Sequence, residues 1–241
     1  MALPPGAPPA LAQIAQRFQE SSRGIVSFSL HRTLDVHAAF RSRHEDQVLQ
    51  GIYQDGAVVK VRVVSDAIDG KAAPAAEQTA IEERYDHPRP GDAFEPPFDP
   101  RYVDAYQYQA GNPGTVTFTS SLRDAAHGSG SFTYDSAGNV LAYTYQPGTL
   151  PPYATSATVS DQRAEVLPGL WAVTQETQQY KGSYGPFAGA GTVSIAYSNF
   201  KRFSDIQSAL DSIQRPRASV PSPLEATPRP PIRLTEHTFA W

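Results

Sequence analysis

The sequence contains no cysteine. Thiol nucleophiles, cysteine-ligated zinc and iron–sulfur clusters are therefore excluded. The compartment stays open, because oxidising compartments permit disulfides without requiring them. Basic charge is also scarce: the formal net charge is −4 with 18% charged residues, and no run of Lys or Arg occurs. Nucleic acid is accordingly not an expected partner. Long apolar runs are missing as well. Stretches such as Ala57-Val58-Val59 and Val63-Val64 fall far short of the roughly 20 apolar residues of a spanning helix, so no transmembrane segment is expected. Met1 to Gly6 has neither a basic region nor an apolar run, so it is not an intact signal peptide. An export signal is expected to have been removed, with Met1 standing in its place.

The 241 residues suffice to bury about 70% of the surface of the unfolded chain, so the fold needs neither disulfide nor metal. The pattern is mostly that of strands. An amphipathic stretch from Pro9 to Ser22 carries Leu11, Ile14, Ala15 and Phe18 at helical spacing, and Gly24 ends it. Alternation follows: Val26, Phe28, Leu30, Leu34 and Val36 share one side of a strand, with Ser27, Ser29, Thr33 and Asp35 on the other. Val48 to Tyr53 and Val58 to Val64 flank Gln54-Asp55-Gly56, a tight-turn signal. There Val59, Val61 and Val63 share a face, while Lys60 and Arg62 are expected to meet solvent.

Residues 69–100 break this rhythm. Ala72 to Tyr85 has helical composition, and Pro88, Pro90, Pro96, Pro97 and Pro100 then forbid regular structure, which reads as a surface insertion. Strand patterns return at Tyr102 to Gln109, Thr115 to Leu122, Ser131 to Tyr134, Val140 to Tyr145, Ala157 to Leu167, Leu170 to Tyr180 and Thr192 to Phe200, giving roughly nine strands in all. Ser204 to Ile213 reads as a helix with Ser204 as N-cap. Six prolines between 215 and 231 point to an extended tail. The division expected is one curved-sheet domain over 1–214, interrupted at about 69–100, and a tail over 215–241. The fold class is mainly β (α+β): a strongly curved antiparallel sheet or half-barrel covered on its concave side by a few helices.

No catalytic constellation emerges. His31 and His37 share a strand face but would lie about 20 Å apart, too far for one metal. His44-Glu45-Asp46 alternates between faces, and Glu82-Glu83-Arg84 with Asp86-His87 reads as an exposed helix end. Gly128-Ser129-Gly130-Ser131 after His127 lacks a nucleophile elbow and reads as a turn. Gly189-Ala190-Gly191 precedes a strand where a dinucleotide site needs a helix. Tyr180 to Phe187 reads as a glycine-rich hairpin end or a gating loop. Neither catalytic residues, metal ligands nor cofactors are assigned. Phe28, Phe118, Phe132, Tyr134, Tyr143, Tyr145, Trp171 and Tyr197 are each expected to be plain core, and the lining of an apolar cavity is favoured only by a curved sheet closing over helices.

The order of elements resembles the bacterial LolA/LolB-like lipoprotein-carrier superfamily. The resemblance covers about residues 9–203. It rests on the helix-then-strand opening from Leu11 to Val36, the Asp135 to Asn139 hairpin, and the strand from Gly191-Thr192 to Tyr197-Ser198-Asn199-Phe200-Lys201-Arg202-Phe203. It implies a curved sheet around a lid of helices, with acyl chains of a lipid or lipoprotein held on the concave face, and a periplasmic or cell-envelope location. Ala72 to Tyr85 is then the candidate lid. Asp86 to Pro100 and the chain beyond Arg215 depart from the pattern. The residues expected to line the apolar face are Val26, Phe28, Leu30, Val59, Val61, Val63, Phe118, Val193, Ile195 and Tyr197. The expected function is non-enzymatic carriage of an apolar ligand; the alternative is a filled interaction module that meets a protein partner in an envelope assembly.

Overall fold

The structure, a computed structural model, describes residues 4, 6–38, 41–87, 94–150, 154–184 and 187–213. The tail expected over 215–241 lies outside the described residues. Among these residues the chain forms eleven strands in one antiparallel sheet that does not close into a barrel, with three α-helices. The sheet begins with β1 (Ile25–Ala38), β2 (Arg41–Gln54), β3 (Ala57–Ile68) and the two-residue β4 (Lys71–Ala72). It resumes with β5 (Tyr106–Ala110), β6 (Thr115–Ser120), β7 (Gly128–Tyr134) and β8 (Val140–Pro147). It ends with β9 (Ala154–Leu167), β10 (Leu170–Tyr184) and β11 (Phe187–Phe203). The helices are α1 (Leu11–Ser21), α2 (Ala75–Asp86) and α3 (Ile206–Ser212).

Turn chemistry sets the hairpins. Asp55 and Gly56 both take positive φ (48° and 95°), as do Asp69 and Gly70 (50° and 76°), the mirror-image turn whose twist matches that of the flanking strands. The Asp135 carboxylate accepts from the backbone N–H of Ala137 and Asn139 at 2.9 and 2.8 Å and closes the β7–β8 turn. Two glycines have a different task. A Cβ on Gly51 would overlap the ring of Phe28, its cross-strand partner, and one on Gly191 would overlap the ring of Tyr180, likewise its partner. The aromatic ring lies across the bare backbone and replaces the missing side chain in the packing.

The strand order is β4-β3-β2-β1-β11-β10-β9-β8-β7-β6-β5. All neighbours except β1 and β11 are consecutive in sequence, so the first and last strands meet in the middle of the sheet and β4 and β5 stand at opposite edges. The chain between them must cross a sheet of eleven strands, each spaced about 4.8 Å from the next, and its described parts lie over the concave face. This crossing carries α2 and then the segment from Phe94 to Ala105.

The second part of the crossing corrects the reading of residues 69–100 as a surface insertion. Phe98 is 1% exposed and Asp99 3%. The Phe98 ring packs edge-on against Phe18, Phe132 and Tyr143 at 5.0–5.3 Å, and the Phe94 ring stacks on Tyr145 at 3.6 Å. Proline does forbid regular structure here, but an irregular chain with large aromatics still buries them when the sheet curves around it. Together with Leu11 and Ile14 of α1 these rings fill the β5–β9 half of the concave face. On the opposite face α3 covers Ile25, Ile52 and Phe203.

Two further expectations are corrected locally and one is narrowed. Gly128 to Ser131 is strand β7, not a turn; Gly130 faces Tyr145, and a Cβ there would overlap the Thr144 carbonyl oxygen. Tyr180 to Phe187 is the hairpin end expected and not a gating loop: its described residues are paired strand, with Lys181 opposite Ala190 and Gly182 opposite Gly189. The N-cap of α3 is Asp205 instead of Ser204. Its extended backbone (φ −145°, ψ 155°) lets the carboxylate accept from the Ser208 N–H at 2.8 Å, whereas the Ser204 hydroxyl donates to Asp205.

Because Phe98 stands at the centre of the packed half, Phe98→Ala should lower stability by about 3–5 kcal/mol. Val64→Ala, at a position 58% exposed, should change it by no more than about 0.5 kcal/mol. Urea unfolding followed by tryptophan fluorescence compares the two; equal effects would contradict the packing described.

Candidate functional site

The remaining half of the concave face is built by β1, β2, β3, β10 and β11 and covered by α2. Phe28, Leu30, Leu49, Val61 and Val63 form its buried apolar cluster, with Tyr53, Ile81, Tyr85, Ile195, Tyr197 and Phe200 half-buried against it. Six of the residues expected to line an apolar face come together here: Phe28, Leu30, Val61, Val63, Ile195 and Tyr197. Val26 and Val193 are buried at 2% and 4% exposure outside this cluster. Phe118 belongs instead to the packed half under α1. Val59 is 39% exposed, because the ladder slips between Ile52 opposite Lys60 and Tyr53 opposite Val58, leaving Val59 in a bulge. A bulge shifts the alternation by one residue, and sequence periodicity cannot register it.

The cover differs in kind from α1. Leu11, Ile14 and Ala15 of α1 are 0–1% exposed, whereas α2 has no buried residue. Only Ile81 and Tyr85 touch the cluster below it. Polar contacts hold α2 to the rim of the sheet: the Glu82 carboxylate accepts from the Val63 N–H at 2.9 Å and from Arg62 Nη1 at 3.2 Å, and Asp86 pairs with Lys60. Lys60 and Arg62 are thus helix anchors, and not the simply solvated pair expected from alternation. β4 pairs only with Ala67 and Ile68, so Glu82 also occupies a ladder position that an edge strand would otherwise present to solvent.

A row of side chains, polar except for Ile195, crosses this face. Asp66, Gln47, Arg32, Ile195, Glu176, Asp161 and Tyr143 are successive cross-strand partners from β3 to β8. At one end Arg32 donates to Glu45 at 3.2 Å and to Gln47 at 2.8 Å, and Gln47 donates to Asp66 at 3.1 Å. Arg43 adds a second cation to Glu45 at 2.5 Å. Burial pushes the Asp66 carboxyl up. At the other end Gln178 Nε2 and the Tyr197 hydroxyl donate to Glu176 at 2.5 and 3.3 Å, and the Tyr143 hydroxyl bonds Asp161. Asp161 is 4% exposed, and its Oδ1 has no hydrogen-bond partner.

Burial, reinforced by the negative charge of Glu176, pushes the Asp161 carboxyl up to about 8, and burial raises Glu176 as well. The neighbouring cations are engaged elsewhere. Arg163, two positions along β9 from Asp161, lies over the Phe18 ring at 4.7 Å and donates to the Trp171 carbonyl at 2.8 Å. Tyr143, Glu176 and Tyr197 are closely surrounded by protein yet keep accessible surface.

Sequence reading missed this row, although part of its signal was present. Arg32 stands in phase between Leu30 and Leu34, and Asp161 in phase with Val159. A charge at an inward position is the mark of a buried polar group. The histidines lie elsewhere: His44 pairs with Asp35 at 2.7 Å and His31 with Asp46 at 3.2 Å on the opposite, exposed face. His127 is clasped by Asp124 and Glu95 at 2.8 and 3.1 Å beside the aromatic half.

No family model matches the chain, and no curated protein matches it in sequence. Its fold resembles solved structures of the LolA superfamily and of outer membrane lipoprotein-sorting domains. One is an outer membrane lipoprotein-sorting protein domain from Vibrio parahaemolyticus: 12% identity, 81% of this chain and 93% of that chain covered, TM-score 0.43. A second is a LolA superfamily protein from Nitrosomonas europaea: 9% identity, 85% and 97% covered, TM-score 0.34. A third is lipovitellin: 8% identity, 78% of this chain and 26% of that chain covered, TM-score 0.37. These likenesses concern sheet-and-helix layout, and the functional reading rests on the residues themselves. No helix among the described residues is long and apolar enough to cross a membrane.

The raised carboxyl of Asp161 has a sign that can be checked. The folded chain retains a proton there that the unfolded chain loses near the ordinary carboxylate value, so this group's contribution is greatest below about pH 4 and is lost as pH rises towards about 8. Asp161→Asn should therefore give a shallower decline of the urea midpoint between pH 5 and 8 than the wild type shows. Parallel profiles would mean that Asp161 is ionised in the folded protein.

Proposed function

We propose that the half of the concave face beneath α2 binds the apolar chain of an amphiphile, and that the protein is a non-enzymatic lipid or lipoprotein carrier of the periplasm or cell envelope. The observation that carries this reading is the contrast between the two halves of one face. The β5–β9 half is filled by α1 and the Phe94–Ala105 segment, while the other presents Phe28, Leu30, Val61 and Val63 to a helix with no buried residue. These residues are 0–7% exposed, so the face is closed off from water although the helix over it buries no residue of its own. Residues such as Tyr197, hemmed in yet still accessible, fit the wall of an internal space more readily than a close-packed core.

The energetics suit carriage. Each methylene withdrawn from water contributes about 0.8 kcal/mol, so an acyl chain binds without directional contacts. Release then needs only that α2 move away from the rim, where its attachments are polar and partly solvated, each worth about 1 kcal/mol or less. The resemblance to lipoprotein carriers read from the sequence supports this reading and is the ground for proposing the envelope location.

The test is binding of N-phenyl-1-naphthylamine, followed by its fluorescence and displaced by a fatty alcohol. The wild-type protein should bind it. Ile195→Trp, at a half-buried position on the cluster, should fill the space and weaken binding by about tenfold or more, the loss of roughly two buried methylenes, with little change in thermal midpoint. Native mass spectrometry of protein from its own host should also find a co-purifying lipid. A wild-type protein that takes up no probe and carries no lipid would sink the proposal.

A further inference from the structure

The apolar face explains how a chain could be held, but it leaves the buried carboxylates without a task. Asp161 and Glu176 are direct cross-strand partners on β9 and β10. Asp161 is 4% exposed and its Oδ1 accepts nothing from the protein. A buried carboxyl oxygen without a partner carries an uncompensated desolvation cost even while the group holds its proton. Close-packed proteins satisfy such groups, and an exception calls for an explanation.

Two cations act on the pair through charge, Arg163 on Asp161 and Arg32 on Glu176, but the hydrogen bonds of both go elsewhere. Arg163 is occupied by the Phe18 ring and the Trp171 carbonyl, and Arg32 by Glu45 and Gln47. What surrounds the pair is aromatic. The Tyr143 and Tyr197 hydroxyls each serve one carboxylate. The Tyr143 ring neighbours Tyr145 at 6.3 Å and the Tyr197 ring neighbours Phe28 at 5.9 Å. Two adjacent acidic groups held by tyrosine hydroxyls form an environment that recognises an ammonium ion, through charge and charge-assisted hydrogen bonds. The same environment repels a carboxylate or phosphate headgroup, for which no unengaged cation is described at this point of the row.

Resting on the reading that the concave face binds an apolar chain, we propose that Asp161 and Glu176 form the polar end of that site and select amphiphiles bearing a protonated amine. The ammonium takes the open Asp161 oxygen and lies between the two carboxylates, and its chain runs along the Phe28, Leu30 and Ile195 side of the row. Binding ionises Asp161, so the proton that its buried carboxyl holds in the free protein is released as the amine enters.

Three probes with the same twelve-carbon chain test this by calorimetry at pH 7: dodecylamine, 1-dodecanol and dodecanoate, each below its critical micelle concentration. Dodecylamine should bind at least about tenfold more tightly than dodecanol, a difference of about 1.4 kcal/mol, and dodecanoate most weakly. Its binding enthalpy should vary with the ionisation enthalpy of the buffer, reporting proton release. The double variant Asp161→Asn, Glu176→Gln should lose the preference for the amine while still binding dodecanol, which also shows that it is folded. Equal affinities for all three probes, or a preference for dodecanoate, would overturn the amine assignment and leave the apolar site standing. If none of the three binds, the apolar site itself falls and this assignment with it.

Discussion

The pairing of β1 with β11 governs this molecule. It joins strands from the two ends of the described sheet, with Ser29 bonded to Asn199 across 170 positions, and it forces the other two strand termini to opposite edges. The crossing from β4 to β5 follows as a geometric necessity, and because the sheet curves, its described parts lie inside the curve. The cover over the concave face is thus a product of topology before it is a product of any particular side chain. Side chains then decide how firmly each stretch of the cover is seated. Phe94 and Phe98 bind theirs tightly, whereas α2 has two half-buried apolar residues and hangs from the rim by Glu82 and Asp86.

Much of this was legible in the sequence. Period-two alternation located the strands of both halves, Asp-Gly marked the sharpest hairpin, and helical spacing of Leu11, Ile14 and Phe18 found the helix that fills one half. Six of the ten expected lining residues gather in one cluster because alternation within a strand fixes the face. Where it failed, register was responsible. Val59 left the face through a bulge in the β2–β3 ladder, and Phe118 kept the right face but lies on the far side of the sheet, since periodicity says nothing about which strands are neighbours. The proline-rich stretch misled for another reason: proline reports the absence of regular structure, which is a different property from exposure.

The polar row shows the same limit more sharply. Arg32 lies more than a hundred positions from Asp161 and Glu176, and the three belong to three strands. None belongs to a motif, and only the full register from β3 to β8 sets them side by side. Chemistry of this type, a carboxylate pair assembled across strands inside an apolar face, is invisible to spacing rules and evident once burial and hydrogen-bond satisfaction are examined together. It also qualifies the first reading of the face as purely apolar: the surface is apolar along its strands and polar across them.

The seam between β1 and β11 has a temporal consequence too. Every other pairing in the sheet is a local hairpin or joins consecutive strands and can form as soon as its two strands exist, whereas this one waits for almost the whole chain. During synthesis β1 therefore remains a fourteen-residue strand with one unpaired edge until β11 emerges. The two wings of the sheet are thus joined only by a pairing of high sequence separation, and until it forms the open edge of β1 is a template for pairing with a neighbouring chain.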